Sequence, residues 1–249
     1  MLTPTITYVL CVVFVATLFR SAFGFGEALV AVPLLALRIP VMVAAPLAVL
    51  LSITVAGIVV AQDWRDIHRK SAFWLVISTL AGVPLGLIIL KTANERLIKI
   101  LLASIILAFS LYSLLNQHRF HLRRDRLSWL LGFGFCAGIL GGAYGMNGPP
   151  LAIYGSLRRW PAREFRATLQ AYFLPASLVG LLGYWIAGFL STTVIRYFVW
   201  SLLPVFVAVL IGRQINRRLH GRSFLGYVYL VLILIGLTLL IETVSGRLI

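Results

Sequence analysis

The chain has 249 residues, of which 61% are hydrophobic and only 12% charged, and its formal net charge is +15. Soluble globular domains carry about a quarter charged residues, so this composition excludes a soluble domain and indicates several membrane spans of about 20 apolar residues. The positive charge does not indicate nucleic-acid binding, because most lysines and arginines lie in short loops between apolar runs and form no continuous basic face.

The first apolar region is broken near its middle. Residues 5–19 are apolar, but at about 1.5 Å per residue they cover only about 22 Å of a hydrocarbon core of about 30 Å. Gly24 and Gly26 interrupt the apolar stretch that follows, and Pro33 is a further structural break, since proline lacks the N–H that a helix needs. We therefore predict a broken, re-entrant helical hairpin whose tip lies near residues 20–27.

A second broken region and six ordinary spans complete the predicted elements. Residues 127–143 and 146–157 repeat the situation of the first region, with a tip of sequence G-G-A-Y-G-M-N-G-P-P from Gly141 to Pro150. The six remaining apolar runs are each long enough to cross a bilayer, and they are residues 41–61, 71–90, 97–115, 168–188, 194–212 and 223–242. The predicted fold is an all-α polytopic membrane protein with about eight hydrophobic elements, two of them broken hairpins.

The positions of the cations predict how the chain crosses the membrane. Loops rich in lysine and arginine stay on the cytoplasmic side, and here they are residues 62–70, 116–126, 158–166 and 213–222. All four loops fall on one face only if each broken hairpin enters and leaves on the same side, which places both termini outside. Lys91, Arg96 and Lys99 are exceptions, because they lie on or near the predicted outer side.

The same topology predicts two inverted repeats. Each half is a hairpin followed by three full spans, and since three is odd, the second half starts on the opposite face from the first. We expect a first repeat at residues 1–115, a basic cytoplasmic linker at 116–126 and a second repeat at 127–249. Paired broken elements in inverted repeats are typical of a transporter binding site.

Two motifs carry a resemblance to a known family. They are G-F-G-E-A-L-V-A-V-P-L-L, from Gly24 to Leu35, and G-I-L-G-G-A-Y-G-M-N-G-P-P-L, from Gly138 to Leu151. With the hydropathy of nearly the whole chain, they resemble the sulfite exporter TauE/SafE family of membrane permeases. The resemblance implies a multi-pass transporter of the bacterial cytoplasmic membrane for sulfur-containing anions such as sulfite, thiosulfate or organosulfonates. Members of that family often have a run of glycines in the first motif, whereas Glu27 follows Gly26 here, which leaves the substrate open.

The two tips predict an oxyanion site. Backbone N–H groups at helix ends bind anions without a charged side chain, and glycines let the backbone approach a ligand. We predict that the tips face each other, and that the substrate contacts Arg20, Gly24, Gly26, Gly141, Gly142, Gly145, Asn147, Gly148, Pro149 and Pro150. The alternative is that the glycines only permit close packing of helices.

Glu27 and Arg20 each have two alternative roles. A carboxylate inside a membrane segment must be paired, protonated or hydrated, so Glu27 either couples transport to protons or is a structural partner of Arg20, seven residues earlier. Arg20 either contacts the anion directly or extends to the membrane interface, as long cationic side chains do.

The sequence indicates no metal, cofactor or catalytic site. His68, His118, His121 and His220 lack metal-ligand spacing, and there is no nucleotide-binding glycine-lysine motif or catalytic constellation. We therefore expect a transporter for a small anion that is not an enzyme, with the lipid bilayer and the anion as its partners. Two alternatives stay open: a passive anion channel, and a non-transporting assembly or anchoring protein, which would not need paired broken hairpins. The oligomeric state is not indicated.

Overall fold

The computed structural model describes residues 4–63, 69–115, 122, 126–158, 162–218 and 223–245, and the regular structure within them is α-helical throughout. The helices are α1 (Pro4–Phe23), α2 (Glu27–Ala36), α3 (Val41–Asp63), α4 (Arg69–Thr92), α5 (Glu95–Leu115), α6 (Leu127–Tyr144), α7 (Gly148–Arg158), α8 (Ala162–Ile186), α9 (Thr192–Arg218) and α10 (Ser223–Val244). Within the described residues, seven helices are long and apolar enough to cross a membrane. The predicted all-α polytopic membrane fold is confirmed.

The first broken hairpin consists of α1 and α2. The chain reverses at Gly24 and Gly26, which have positive φ angles of 86° and 93° that favour glycine. The Tyr8 hydroxyl donates a hydrogen bond of 2.6 Å to the carbonyl oxygen of Leu34, so the end of α2 returns beside the start of α1. Pro33, predicted as a structural break, lies inside α2, and the helix continues through it to Ala36.

The prediction that the first helix of this hairpin is too short to cross the membrane is wrong. α1 has 20 residues, which corresponds to about 30 Å, because the helix continues past residue 19 to Phe23. Counting only the apolar run ended the arm at Arg20, but that side chain is buried in the protein and does not end the helix. The first arm of the second hairpin, α6, has 18 residues and is also long enough to span.

The second broken hairpin consists of α6 and α7. α6 ends at Gly145, which has a left-handed φ of 63° and whose N–H donates to the carbonyl oxygen of Gly141 at 2.9 Å. The end of α7 returns to the segment that precedes α6, since the Leu122 N–H, five residues before that helix, donates to the Leu157 carbonyl oxygen at 2.9 Å. The tip therefore lies at residues 145–147, shorter than the predicted Gly141–Pro150.

The helix pairs that pack together map onto each other when the first and second halves of the chain are exchanged. α6 packs against α4, and the corresponding first-half helix α1 packs against α9, the counterpart of α4. α3 packs against its own counterpart α8, and α5 against α10. Exchanging the two halves thus preserves these pairs, as inverted repeats require. The division at residues 116–126 stays a prediction, since most of that segment lies outside the described residues.

Close glycine contacts join α4 to α6. A Cβ atom on Gly142 would lie 2.3 Å from the Val83 carbonyl oxygen, and one on Gly138 would lie 2.5 Å from the Thr79 carbonyl oxygen. Small residues at this spacing let two membrane helices approach backbone to backbone. Gly142, predicted to contact the substrate, therefore permits helix packing.

The starts of α3 and α5 and the end of α10 lie on one face of the protein. The Val41 N–H donates to Glu95 Oε1 at 2.9 Å, and Arg96 Nη2 donates to the Val244 carbonyl oxygen at 3.2 Å. The starts of α3 and α5 and the end of α10 therefore lie together, and we call this the outer face, following the charge prediction. Chain direction carries the arginine-rich connections to the opposite face, and residues 64–68, 116–121, 123–125, 159–161 and 219–222 of them lie outside the described residues.

Candidate functional site

The two tips line one small cavity inside the protein. Phe25–Leu29 contribute the first tip and Gly145–Pro149 the second, and Arg20, Ser52 and Phe173 complete the wall. The cavity has room for about one water molecule. The hairpins enter from opposite faces, so this cavity is where the broken ends of the two repeats meet.

Most of the predicted site residues reach this cavity. Those that line it are Arg20, Gly26, Glu27, Gly145, Asn147, Gly148 and Pro149. Gly24, Gly141, Gly142 and Pro150 do not line it. The carbonyl oxygen of Gly24 accepts a hydrogen bond from Gln170 Nε2. A Cβ atom on Gly141 would lie 2.6 Å from Asn147 Oδ1, so Gly141 makes room for the Asn147 side chain.

Arg20 is buried at the first tip, with 3% of its surface exposed. Its Nη1 lies 2.7 Å from Glu27 Oε2 and donates to Ser52 Oγ at 2.9 Å. Its Nη2 donates to Gln170 Oε1 at 2.8 Å, and its guanidinium carbon lies 5.1 Å from the centre of the Phe173 ring. The alternative that Arg20 extends to the membrane interface is therefore wrong.

Glu27 is the first residue of α2 and is equally buried, with 3% of its surface exposed. Its Oε1 accepts a hydrogen bond of 2.7 Å from Thr17 Oγ1, and its Oε2 accepts one from Arg20. A carboxylate at a helix N-terminus is also stabilised by the helix dipole. The ion pair with Arg20 is thus present, and the pair gives the cavity wall no net charge.

The second tip is polar but uncharged. Asn147 Nδ2 donates to the Tyr172 hydroxyl at 3.3 Å, and that hydroxyl lies 2.6 Å from Thr79 Oγ1. Pro149 and Pro150 occupy the first turn of α7 and have no N–H to offer a ligand. The second tip therefore presents an amide and a hydroxyl network, whereas the first presents an ion pair.

Several contact residues were not predicted. Thr17, Ser52, Gln170 and Phe173 surround Arg20 and Glu27. Gln170 could have been predicted from the sequence, because an amide within an otherwise apolar run needs a buried partner. In the structure it is 1% exposed. Ser52 and Thr17 carry no such signal, since hydroxyls in membrane helices commonly bond to their own backbone.

Arg20 retains hydrogen-bonding capacity. Its Nε is buried and, among the described residues, has no hydrogen-bond partner. Nε and Nη2 lie on the same edge of a guanidinium group, which binds two oxygens of a carboxylate, phosphate or similar anion at once. Arg20 lines the cavity together with the first residues of α2, whose N–H groups have no partner within their own helix. That combination offers donors to an oxyanion, which the cavity, with room for about one water molecule, admits only if the tips move apart.

The described residues contain no group of three or more histidine, cysteine, aspartate or glutamate side chains that could hold a metal ion. The four histidines considered above lie outside those residues.

A family model described as "Sulfite exporter TauE/SafE" matches residues 9–239, nearly the whole chain. No curated protein and no solved structure matches it.

Proposed function

The chain belongs to the sulfite exporter TauE/SafE family of membrane transporters, and from this we propose that it carries a sulfur oxyanion, such as sulfite or thiosulfate, through the cavity between the two tips. The observation that carries the proposal is the buried Arg20, whose Nε has no partner among the described residues. Family membership supports a sulfur oxyanion as the class of substrate, and the guanidinium edge of Arg20 is a group that fits it. Organosulfonates present the same kind of oxygens and belong to the same proposal.

Recognition needs donors that replace the water around the anion. The Nε–Nη2 edge of Arg20 supplies two donors in one plane, which suits two oxygens of a sulfur oxyanion. The N–H groups at the start of α2 and the Asn147 amide line the same cavity and supply donors from other directions. Uncharged donors of this kind stabilise the anion without fixing its total charge.

We also propose that binding takes up a proton at Glu27. The Arg20–Glu27 pair is neutral, so an anion beside it leaves two negative charges facing one positive charge in a buried place. Like charges at close range favour the protonated form of a carboxyl group. Protonated Glu27 keeps its hydrogen bond with Thr17 and releases the Arg20 guanidinium to the anion.

Alternating access follows from the hairpin arrangement in this proposal. The cavity is narrow, and one hairpin reaches it from each face, so displacement of one tip would open it to one side only. A passive channel would need a continuous wet path. We propose that the arginine-rich face lies in the cytoplasm of a bacterial cell, in accord with the charge rule.

Ligand binding to the purified full chain tests the proposal. Thermal stability is measured against sulfite, thiosulfate, sulfate, sulfoacetate, acetate and chloride, because a ligand that binds only the folded state raises the melting temperature with its concentration. We expect a sulfur oxyanion to raise it, and acetate and chloride to have little effect.

The matched variants are the double substitution Arg20→Gln/Glu27→Gln, which removes the ion pair while leaving the net charge unchanged, and Arg196→Gln, which removes an exposed cation near the start of α9 that does not line the cavity. The double variant should lose the shift and Arg196→Gln should keep it. An unchanged shift in the double variant would disprove a site at the tips.

A further inference from the structure

A second cavity opens at the outer face. It lies between the start of α1, the connections α2–α3 and α4–α5, and the end of α10. Its wall carries three cations, Arg38, Arg96 and Lys99, and two carboxylates, Glu95 and Glu242. We call it the outer cavity. The cations exceed the carboxylates, so its wall attracts anions.

Topology does not account for cations at this place. The charge rule concentrates lysine and arginine on the cytoplasmic side, whereas these three lie on the face opposite to the arginine-rich connections. Two have partial structural roles: Arg96 caps the end of α10 through Val244, and the Arg38 guanidinium carbon lies 5.4 Å from the centre of the Tyr8 ring. A contact with an aromatic ring consumes no N–H donor, so Arg38 keeps donors for a ligand.

Among the three cations of the outer cavity, Lys99 has the weakest described contact with a carboxylate or other polar partner. It is 6% exposed, and its Nζ lies 3.5 Å from Glu95 Oε1, longer than a direct N–H···O hydrogen bond. The same Glu95 oxygen already accepts the Val41 N–H. Burying an ammonium group is unfavourable unless charges and hydrogen bonds compensate. An anion in the outer cavity would provide that compensation.

The outer cavity and the cavity between the tips lie at opposite ends of α2. α2 contributes to both, with Glu27 at the tips and Arg38, just beyond its end, in the outer cavity. On the other side, the Tyr144 hydroxyl donates to the carbonyl oxygen of Ile98 at 3.1 Å. Ile98 precedes Lys99, and Tyr144 precedes Gly145 of the second tip. α2 and this hydrogen bond thus link the elements that line the two cavities.

We propose that the outer cavity is a second oxyanion site, at which Lys99 and Arg38 bind the transported anion on the outer side of the membrane. The proposal rests on the proposed function, because it takes the tip cavity as the next position of the same anion. Cations in a concave wall raise the local concentration of anions, and an anion held at Lys99 has already lost part of its water.

The test is calorimetric titration of the purified full chain with thiosulfate at low ionic strength, where surface charges are least screened. We expect two binding events in the unchanged chain. Lys99→Gln should weaken one of them by at least about tenfold, and Arg20→Gln/Glu27→Gln should remove the other. Arg38 is exposed, so Arg38→Gln gives a second outer-cavity variant without the risk of misfolding that a buried substitution brings.

Lys91→Gln is the matched control, because Lys91 is an exposed cation at the end of α4 on the same face and does not line the outer cavity. Equal weakening by Lys91→Gln and Lys99→Gln would show a diffuse surface effect and overturn the proposal. A single event that only Arg20→Gln/Glu27→Gln removes would overturn the outer site and leave the proposed function standing. A single binding event that only the outer-cavity variants weaken would overturn the site between the tips and leave the outer site standing. No binding at all would overturn both sites.

Discussion

The two hairpin tips reverse the chain with the same backbone device and carry different chemistry. Each long helix ends at a glycine of positive φ, Gly24 at 86° and Gly145 at 63°, and each short helix begins after a three-residue connection. The first tip then places Arg20 and Glu27 in a buried ion pair. The second places Asn147 beside the Tyr172 hydroxyl. The repeats thus share a geometry that breaks a helix inside the membrane, while the charge lies in one of them alone.

This difference has a physical rationale. Two charged tips would place four ionisable groups in a cavity for about one water molecule, and each buried ion costs several kcal/mol. One ion pair supplies a strong donor fork, and a neutral second tip supplies hydrogen bonds without repelling the anion or the pair. The predictions below test whether the charged tip provides recognition and the neutral tip mainly geometry.

The largest expected effect is from Arg20→Met. It leaves Glu27 buried without its cation, so we expect a loss of stability of about 3–5 kcal/mol and no anion binding, measured by denaturation and by the ligand-induced shift. Arg20→Met/Glu27→Leu should recover most of the stability and none of the binding. Recovery of binding in the double variant would show that the charged tip is not needed to recognise the anion.

Glu27→Gln should keep the fold and anion binding but change the pH dependence. If binding takes up a proton at Glu27, affinity in the unchanged chain increases as pH falls, by at most about tenfold per pH unit. Glutamine cannot take up a proton, so its affinity should vary little over the same range. Titrations at several pH values measure this, with Glu164→Gln, a carboxylate in the first turn of α8, as control. Parallel profiles for Glu27→Gln and the unchanged chain would contradict proton coupling.

The glycines of the two tips should differ in their tolerance of a side chain. A Cβ atom on Gly145 would lie 2.7 Å from the Ala45 carbonyl oxygen, and one on Gly26 would lie 2.6 Å from the edge of the Phe19 ring. Backbone atoms cannot move aside, whereas a ring can turn. Both alanine variants bear strain of about 1–3 kcal/mol from the positive φ, and we expect Gly145→Ala to be the less stable in denaturation. The reverse order would show that the Phe19 ring is held rigidly.

The sequence predicted the elements because membrane spans are read from continuous apolar runs, and the hairpins because glycine breaks such runs. It predicted Arg20, Glu27 and Asn147 because a polar group is conspicuous in an apolar segment. The partners were missed, since Arg20 bonds to Gln170, 150 residues away, and no local pattern encodes that contact. The substrate contact of Gly142 stays a prediction, and its spacing from Gly138 is the one that close helix packing uses.

The smallest expected effect is from Tyr172→Phe at the neutral tip. It removes the hydroxyl that lies between Asn147 and Thr79, and a typical hydrogen bond contributes about 1 kcal/mol. We expect a severalfold loss of anion affinity, measured by titration of the purified chain, since Asn147 becomes free to rotate away from the anion. Tyr184→Phe is the control, because its hydroxyl bonds to the Gly141 carbonyl and does not line the cavity. It should cost similar stability and leave the affinity unchanged. Equal losses of affinity in both variants would mean that the neutral tip acts only by supporting the fold.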